Sequence, residues 1–297
     1  MNDSNALQSI ERYLVPTTLA QALAALSDAG GAIVLAGGTD LMPQSRAGRV
    51  GAAHTLLNVR RVAGLDAVAL DGGSLHLGTL TTVASLLVHP LVRKHAPLLA
   101  EAADHFASDQ IRNAATLGGN VCNASPAGDL LTPLLALDAE VELASLAGDG
   151  SVSTRRLRLA EFFTAPGRTR REAHELLTAV RVAQAARGQR ARFYKTGTRP
   201  ALDISAISLA FAACRDDDGR LRRVRLALGA VAPTPLRARR TEALLEGAVL
   251  DASLAAQAAS CAADEATPID DVRASAWYRK ELVRNMTQRM LEDVACT

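Results

Sequence analysis

Ala36-Gly37-Gly38-Thr39-Asp40-Leu41 and, further along, Ala115-Thr116-Leu117-Gly118-Gly119-Asn120 are the stretches whose reading decides the fold of this chain. The second runs on through Cys122-Asn123-Ala124-Ser125-Pro126-Ala127-Gly128-Asp129. Each joins a glycine pair to a hydroxyl residue and a short polar side chain. A glycine has no Cβ, so bare backbone N–H groups can approach a phosphate. Two such segments predict one long ligand with two phosphates, gripped from both sides. The strand-like run Gly31-Ala32-Ile33-Val34-Leu35-Ala36 puts the first at a sharp turn ending a buried strand. The plainer alternative is that both glycine pairs are only tight turns.

Neither segment reads Gly-x-Gly-x-x-Gly, and neither carries the Gly-Lys-Ser/Thr of a P-loop. A Rossmann fold and a nucleotide triphosphatase are both disfavoured. Thr39 and Thr116 can donate hydroxyl hydrogen bonds to a diphosphate, and Asn120 can donate through its amide and stabilise its own turn. Ionised Asp40 and Asp129 cannot donate to phosphate. They suit sugar or polyol hydroxyls, or the bracing of the loops. Asp40 could equally cap a helix from Leu41 onward.

The chain has 297 residues, enough for two domains of ordinary size. Hydrophobic content is 48% but aromatic content only 3%, so the cores must be built from Leu, Val, Ile and Ala. A net charge of +2 argues against a nucleic-acid binder. The cysteines Cys122, Cys214, Cys261 and Cys296 lie far apart with no Cys-x-x-Cys spacing. They read as reduced thiols of a cytoplasmic protein rather than as metal ligands. The histidines form no metal-binding cluster, so no metal site is expected. Met1-Asn2-Asp3-Ser4-Asn5-Ala6-Leu7-Gln8-Ser9-Ile10 shows neither a basic leader nor an apolar core, and no run is apolar enough to span a bilayer. No catalytic residue is expected, because Ser125 lacks the Gly-x-Ser-x-Gly setting of a hydrolase nucleophile.

Patterning predicts a capped helix over 19–26, preceded by Pro16-Thr17-Thr18 and ending near Gly30-Gly31, then strands at 32–35 and 55–59. Strands at 68–70 and 75–77 form a hairpin across Asp71-Gly72-Gly73. Helices follow at 81–89, 97–106 and 130–137, and strands at 140–144, 151–157 and 176–182. The small, polar stretch 184–190 marks a domain boundary. Strands at 207–214 and 224–231 form a second hairpin across Asp216-Asp217-Asp218-Gly219. Helices at 239–245, 254–263 and 277–294 close the chain.

The joint pattern resembles the FAD-binding subunit of the molybdenum hydroxylases, the family of xanthine dehydrogenase and carbon monoxide dehydrogenase. The family's motifs AGG-T/H-D/S-L, TLGGN and S-P-x-x-D correspond to residues 36–41, 116–120 and 125–129. The resemblance continues at Phe193-Tyr194-Lys195-Thr196-Gly197-Thr198-Arg199-Pro200-Ala201-Leu202-Asp203-Ile204 and at Trp277-Tyr278-Arg279-Lys280-Glu281-Leu282-Val283. It covers almost the whole chain.

The resemblance implies an α+β fold. Residues 1–183 would form a two-lobed FAD-binding domain of the vanillyl-alcohol-oxidase-like (PCMH) type, with lobes at 1–60 and 61–183. Residues 190–297 would form a smaller α+β domain with an antiparallel sheet and helices. The implied FAD-binding residues are Val34, Leu35, Ala36, Gly37, Gly38, Thr39, Asp40, Leu41, Ala115, Thr116, Gly118, Gly119, Asn120, Asn123 and Asp129, with Leu176 or Leu177 and Lys195. Lys195 would stand near the pyrimidine edge of the flavin and favour its anionic reduced form; otherwise it is an ordinary strand-end lysine. One of Phe193 and Tyr194 would approach the isoalloxazine ring while the other packs in the core.

The partners implied are an iron–sulfur subunit and a molybdopterin-binding large subunit, assembled as a dimer of heterotrimers. The acceptor would be NAD, oxygen or a quinone. Some relatives carry a cysteine-rich insertion for a further iron–sulfur cluster. Here residues 120–129 run on without one, so FAD is the only cofactor expected. A self-contained FAD oxidoreductase, similar to vanillyl-alcohol oxidase or peptidoglycan-precursor reductase, is the alternative. A non-catalytic binding module is a third possibility.

Overall fold

A computed structural model describes residues 9–296 apart from Gly30, Ala52, Arg187 and Pro200. Residues 1–8 of the opening stretch 1–10, read above as leaderless, lie outside the described residues, as does Gly30 at the expected end of the first helix.

The first lobe is a small parallel sheet crossed by a helix. Its elements are β1 (Arg12–Leu14), α1 (Leu19–Asp28), β2 (Ile33–Leu35), α2 (Leu41–Arg46) and β3 (Thr55–Asn58), with strand order β1-β3-β2. Thr18 and Gln21 form a reciprocal capping box that starts α1. Ala22, Leu23 and Leu26 lie on one face of α1 and bury against Leu57, Val59 and Leu65. The same cluster takes in Ala144 and Leu176, so the first lobe packs directly on the second.

The second lobe contains β4 (Val68–Asp71), β5 (Ser74–Gly78), α3 (Val83–Val88), α4 (Pro90–His95), α5 (Pro97–Asp104), α6 (Asp109–Ala114), α7 (Leu117–Asn123) and α8 (Leu131–Ala136). It continues through β6 (Glu140–Leu146), β7 (Val152–Arg158), α9 (Leu159–Phe162), β8 (Phe163–Ala165), β9 (Arg168–Thr169) and β10 (Leu176–Ala183). Five of its strands form one antiparallel sheet in the order β4-β5-β10-β6-β7, and β8 with β9 forms a separate ribbon. Gly72 and Gly73, at φ +55° and +80°, make the tight β4–β5 turn, where two left-handed residues are needed.

The C-terminal region is a four-stranded antiparallel sheet of β11 (Gln189–Thr196), β12 (Ile207–Arg215), β13 (Leu221–Gly229) and β14 (Leu236–Arg237). It is followed by α10 (Arg239–Leu245), α11 (Ala252–Glu265) and α12 (Ala276–Cys296). Both faces of this sheet are covered. Ile207, Leu209, Phe211 and Ala213 belong to one core with Ala258, Ala262 and Val283 of α11 and α12. Ala210 and Ala212 belong to the core of the second lobe, with Leu99 of α5 and Leu134 of α8. Burial on two sides explains why β12 reads as a continuous apolar run.

Arg237 ties the C-terminal sheet to the second lobe. Its guanidinium is 3% exposed, donates to the Leu135 carbonyl at 3.1 Å, and pairs with Asp138 and with Glu242 on α10.

Sequence reading did not anticipate β1, α4 or α6, gave α2 only as one of two alternatives from Leu41 onward, and took 115–120 as a loop where α7 begins. Each of these pieces is under two turns long or only three residues. Such segments take their shape from tertiary packing rather than from propensity. The strand expected at 224–231 begins earlier, at Leu221, because Arg215 pairs with Leu221 at the end of the hairpin.

Removing the buried cation should leave two carboxylates without their shared partner. Arg237→Met is expected to lower unfolding free energy by about 3 kcal/mol, measured as a reduced urea midpoint with unchanged slope.

Candidate functional site

A cavity of about 860 Å³ lies between the first and second lobes. Its size falls within the range of small-molecule and cofactor pockets, roughly 300–1,000 Å³. One wall is the first glycine motif, from Ala36 to Leu41, with Val34 and Gln44. A Cβ at Gly37 would collide with the carbonyl oxygen of Ala114 and stand 2.8 Å from its carbonyl carbon. The two motifs therefore touch backbone to backbone. Gly38 has φ +74°, which turns the chain out of β2. The N–H groups of Gly37, Gly38, Thr39 and Asp40 donate to no described acceptor.

The facing wall carries Ala115, Thr116, Gly118, Gly119, Asn120 and Asn123. Its amides differ from those of the first wall, which corrects the expectation of two equivalent loops. Leu117 donates to Thr81 O at 2.9 Å, Gly118 to Thr79 O at 2.8 Å, and Asn120 to Thr116 O at 3.0 Å. Gly119 donates to Thr116 Oγ1 at 3.1 Å, so Thr116 is the N-cap of α7. Gly118 is glycine for packing, since a Cβ there would lie 2.5 Å from Thr79 Cβ. At Gly119 a Cβ would meet only the cap hydroxyl, at 2.9 Å. Asn120 buries its Oδ1 without a partner among the described residues. Gln44 bridges the walls by donating to Asp40 and, at 3.1 Å, to Asn123 Oδ1. Asp40 precedes α2, but its carboxylate makes no capping bond to the helix.

The third wall is the segment 125–129, held from behind by the C-terminal region. Ala230 N–H donates to Pro126 O at 2.7 Å. Asp129 accepts from Lys195 Nζ at 2.7 Å and from Ser205 Oγ at 2.6 Å. Burial raises the pKa of Asp129, against the pull of Lys195. Both its oxygens are occupied, so this aspartate braces the wall.

Two expected site residues do not line the cavity. Leu35 alternates to the other side of β2 from Val34, and its Cδ1 would lie 3.2 Å from a Cβ at Gly38. Lys195 lies behind Asp129, 8% exposed, with its ammonium on Asp129 and the His105 carbonyl. Phe193 and Tyr194 also stay away from the cavity. Phe193 is buried in the second-lobe core with its ring 5.9 Å from that of His105. Tyr194 faces the other core and donates its hydroxyl to Asp293 of α12. Leu176 and Leu177 both line the cavity.

Several lining residues were not anticipated, among them Phe106, Ala107, Thr164, Gly167, Arg168, Asp203 and Ile204. Arg168 is exposed on the β8–β9 ribbon, and its guanidinium makes no hydrogen bond or ion pair with a described residue. The Pro166-Gly167 pair was a legible turn signal in front of it. Cys122 also lines the cavity, and burial pushes its thiol pKa up to about 11, so it is no thiolate. Among the described residues, no group of three His, Cys, Asp or Glu could hold a metal ion.

Residues 7–184 match the family model described as the FAD binding domain in molybdopterin dehydrogenase, and residues 192–294 the CO dehydrogenase flavoprotein C-terminal domain. The chain belongs to this flavoprotein family. FAD is its cofactor, and the α+β arrangement is the family's two-domain FAD-binding fold. The flavoprotein is similar to the xanthine dehydrogenase FAD-binding subunit of Escherichia coli O157:H7, with 34% identity over 283 residues, covering 95% of this chain and 94% of that one. It is similar to the nicotinate dehydrogenase FAD-subunit of Eubacterium barkeri, with 31% identity over 288 residues and 95% of each chain covered. Its fold matches a chain of carbon monoxide dehydrogenase from Hydrogenophaga pseudoflava with TM-score 0.90 and 29% identity, covering 97% of this chain and 98% of that one.

The two glycines Gly37 and Gly119 should respond differently to a methyl group. Gly37→Ala is expected to lower the stability of the FAD-free chain by about 1–3 kcal/mol through overpacking. Gly119→Ala should change it by no more than about 1 kcal/mol, since alanine is the better helix former. Urea unfolding of both variants checks the contrast.

Burial, together with the hydrogen bond to Asp293 and its charge, pushes the Tyr194 pKa up to about 12. The unfolded phenol titrates near about 10. Between those values the unfolded chain has lost a proton that the folded chain keeps, so stability falls as pH rises. Tyr194→Phe should flatten that part of the stability–pH curve.

Proposed function

We propose that this chain is the electron-transfer flavoprotein of a heterotrimeric molybdenum hydroxylase, and that its FAD lies in the cavity between the lobes. The carrying observation is the run of four unpartnered amides, Gly37 to Asp40, on a cavity wall. A diphosphate is a ligand that such amides suit, and each charge-assisted bond contributes about 1.5–3 kcal/mol. The bare Cα of Gly119, the orphaned Asn120 Oδ1 and the unpaired Arg168 support the same occupant. Thr39, Thr116 and Asn123 stand where a polar cofactor could use them. Thr116 accepts from Gly119 and keeps its own hydroxyl proton for a ligand.

Bound FAD supplies the exchange between one-electron and two-electron chemistry. The chain's own residues bind it and shape its surroundings. Electrons would arrive from an iron–sulfur subunit and leave to NAD, oxygen or a quinone. Substrate oxidation would belong to a molybdopterin-binding large subunit. The names of the relatives, which are FAD subunits of xanthine and nicotinate dehydrogenases, support this division of labour. We place the complex in the cytoplasm as a dimer of heterotrimers. No helix of the described residues is long and apolar enough to cross a membrane.

The test is purification of the chain from its native host, with cofactor extraction and sizing of co-purifying chains. Released FAD with iron and pterin in two partner chains is the expected result. Turnover of an organic substrate by the isolated, FAD-loaded chain would overturn the subunit reading in favour of a self-contained oxidoreductase. Gly119→Ala should fold but weaken FAD binding at least about tenfold, the effect of losing about 1.4 kcal/mol. Fluorescence titration reads this.

A further inference from the structure

Four successive backbone carbonyls beside the cavity are each held by a cation. Arg112 Nη1 donates to Asp104 O at 3.0 Å, Phe106 O at 2.8 Å and Ala107 O at 3.3 Å. Lys195 Nζ donates to His105 O at 3.0 Å. Both side chains are largely buried, and each also holds a carboxylate: Arg112 that of Asp109, Lys195 that of Asp129. Ala107 stands at φ +36°, in the left-handed region that a residue with a Cβ rarely adopts. Phe106 and Ala107 line the cavity.

Converging carbonyl dipoles repel one another unless a donor stands among them. A guanidinium suits this place because it is always charged, only donates, and presents its N–H groups in a rigid fork. With the guanidinium gone, the bonds from Arg112 to the Phe106 and Ala107 carbonyls would no longer oppose the return of Ala107 to negative φ. The peptide planes on either side would then rotate, and the cavity wall would move with them.

We propose that Arg112 is a positioning residue of the FAD site. It holds Ala107 in the left-handed conformation and so fixes the turn at 105–108 as a wall of the cavity, with Lys195 completing the clamp from the Asp129 side. The proposal rests on the assignment of this cavity to FAD. It also gives Lys195 a role that needs no contact with the flavin.

The test uses the full chain, stripped of FAD and titrated with it, with affinity read by flavin fluorescence and geometry by visible circular dichroism of the bound flavin. Arg112→Met should weaken FAD binding by about tenfold or more, as expected for losing charge-assisted bonds, and should alter the dichroism. Ala107→Gly placed in the Arg112→Met background should restore both readings, because glycine takes positive φ without a Cβ penalty. Asp109→Asn keeps the carbonyl bonds and should match the wild type. Wild-type affinity and dichroism in Arg112→Met, or no recovery on adding Ala107→Gly, would overturn the proposal. If Arg112→Met does not accumulate as folded chain, Arg112→Gln with and without Ala107→Gly is read the same way. A wild-type chain that folds yet binds no FAD would instead overturn the cavity assignment.

Discussion

The cavity depends on the place where two backbones touch. Gly37 lies against the carbonyl of Ala114, closer than any side chain would allow. That contact brings the end of β2 in the first lobe onto the entry to α7 in the second. Gln44, reaching from α2 to Asn123, joins the same walls through side chains. A methyl group at residue 37 would act as a wedge between the lobes. The two glycine motifs are thus two halves of one joint, and the cavity is the space left beside it.

The division of the amides follows from that joint. On the α7 side, Thr79, Thr81 and Thr116 satisfy the backbone donors, so this wall is rigid and contributes shape. On the β2 side the donors from Gly37 to Asp40 find no acceptor in the chain. Donors left unpaired once a ligand shuts out water are costly. Their grouping in one turn on a cavity wall suits a ligand rich in acceptor oxygens.

Charged groups near the cavity serve mainly to hold it. Asp129 is spent on Lys195 and Ser205 and Arg112 on the carbonyls of 104, 106 and 107, while the backbone N–H of Ala230 holds the Pro126 carbonyl. Three of these partners, Lys195, Ser205 and Ala230, come from the C-terminal region, so that region is a structural wall of the FAD domain as well as a separate match to a family model. The shared core through Phe193, Ala210, Ala212 and Ala227 expresses the same continuity in apolar contacts.

The sequence by itself determined the long, strongly patterned elements: the capped helix α1, the hairpin at Gly72-Gly73, the buried strands β12 and β13, and α11. Each carries a local signal, whether a cap, a left-handed glycine pair or an apolar period, that needs no distant partner to be read. It also marked both glycine motifs, which stand on two walls of the cavity, because an absent Cβ is visible in a string of letters. Tertiary structure alone decided which amides stay open, since that depends on whether Thr79 and Thr81 from another part of the chain reach them. It likewise turned Lys195 away from the cavity, because Asp129 and the His105 carbonyl lie far from it in sequence. Arg112, Ala107 and Arg168 were illegible for the same reason: their roles are set by contacts and backbone angles that arise only once the two lobes and the C-terminal sheet have packed together.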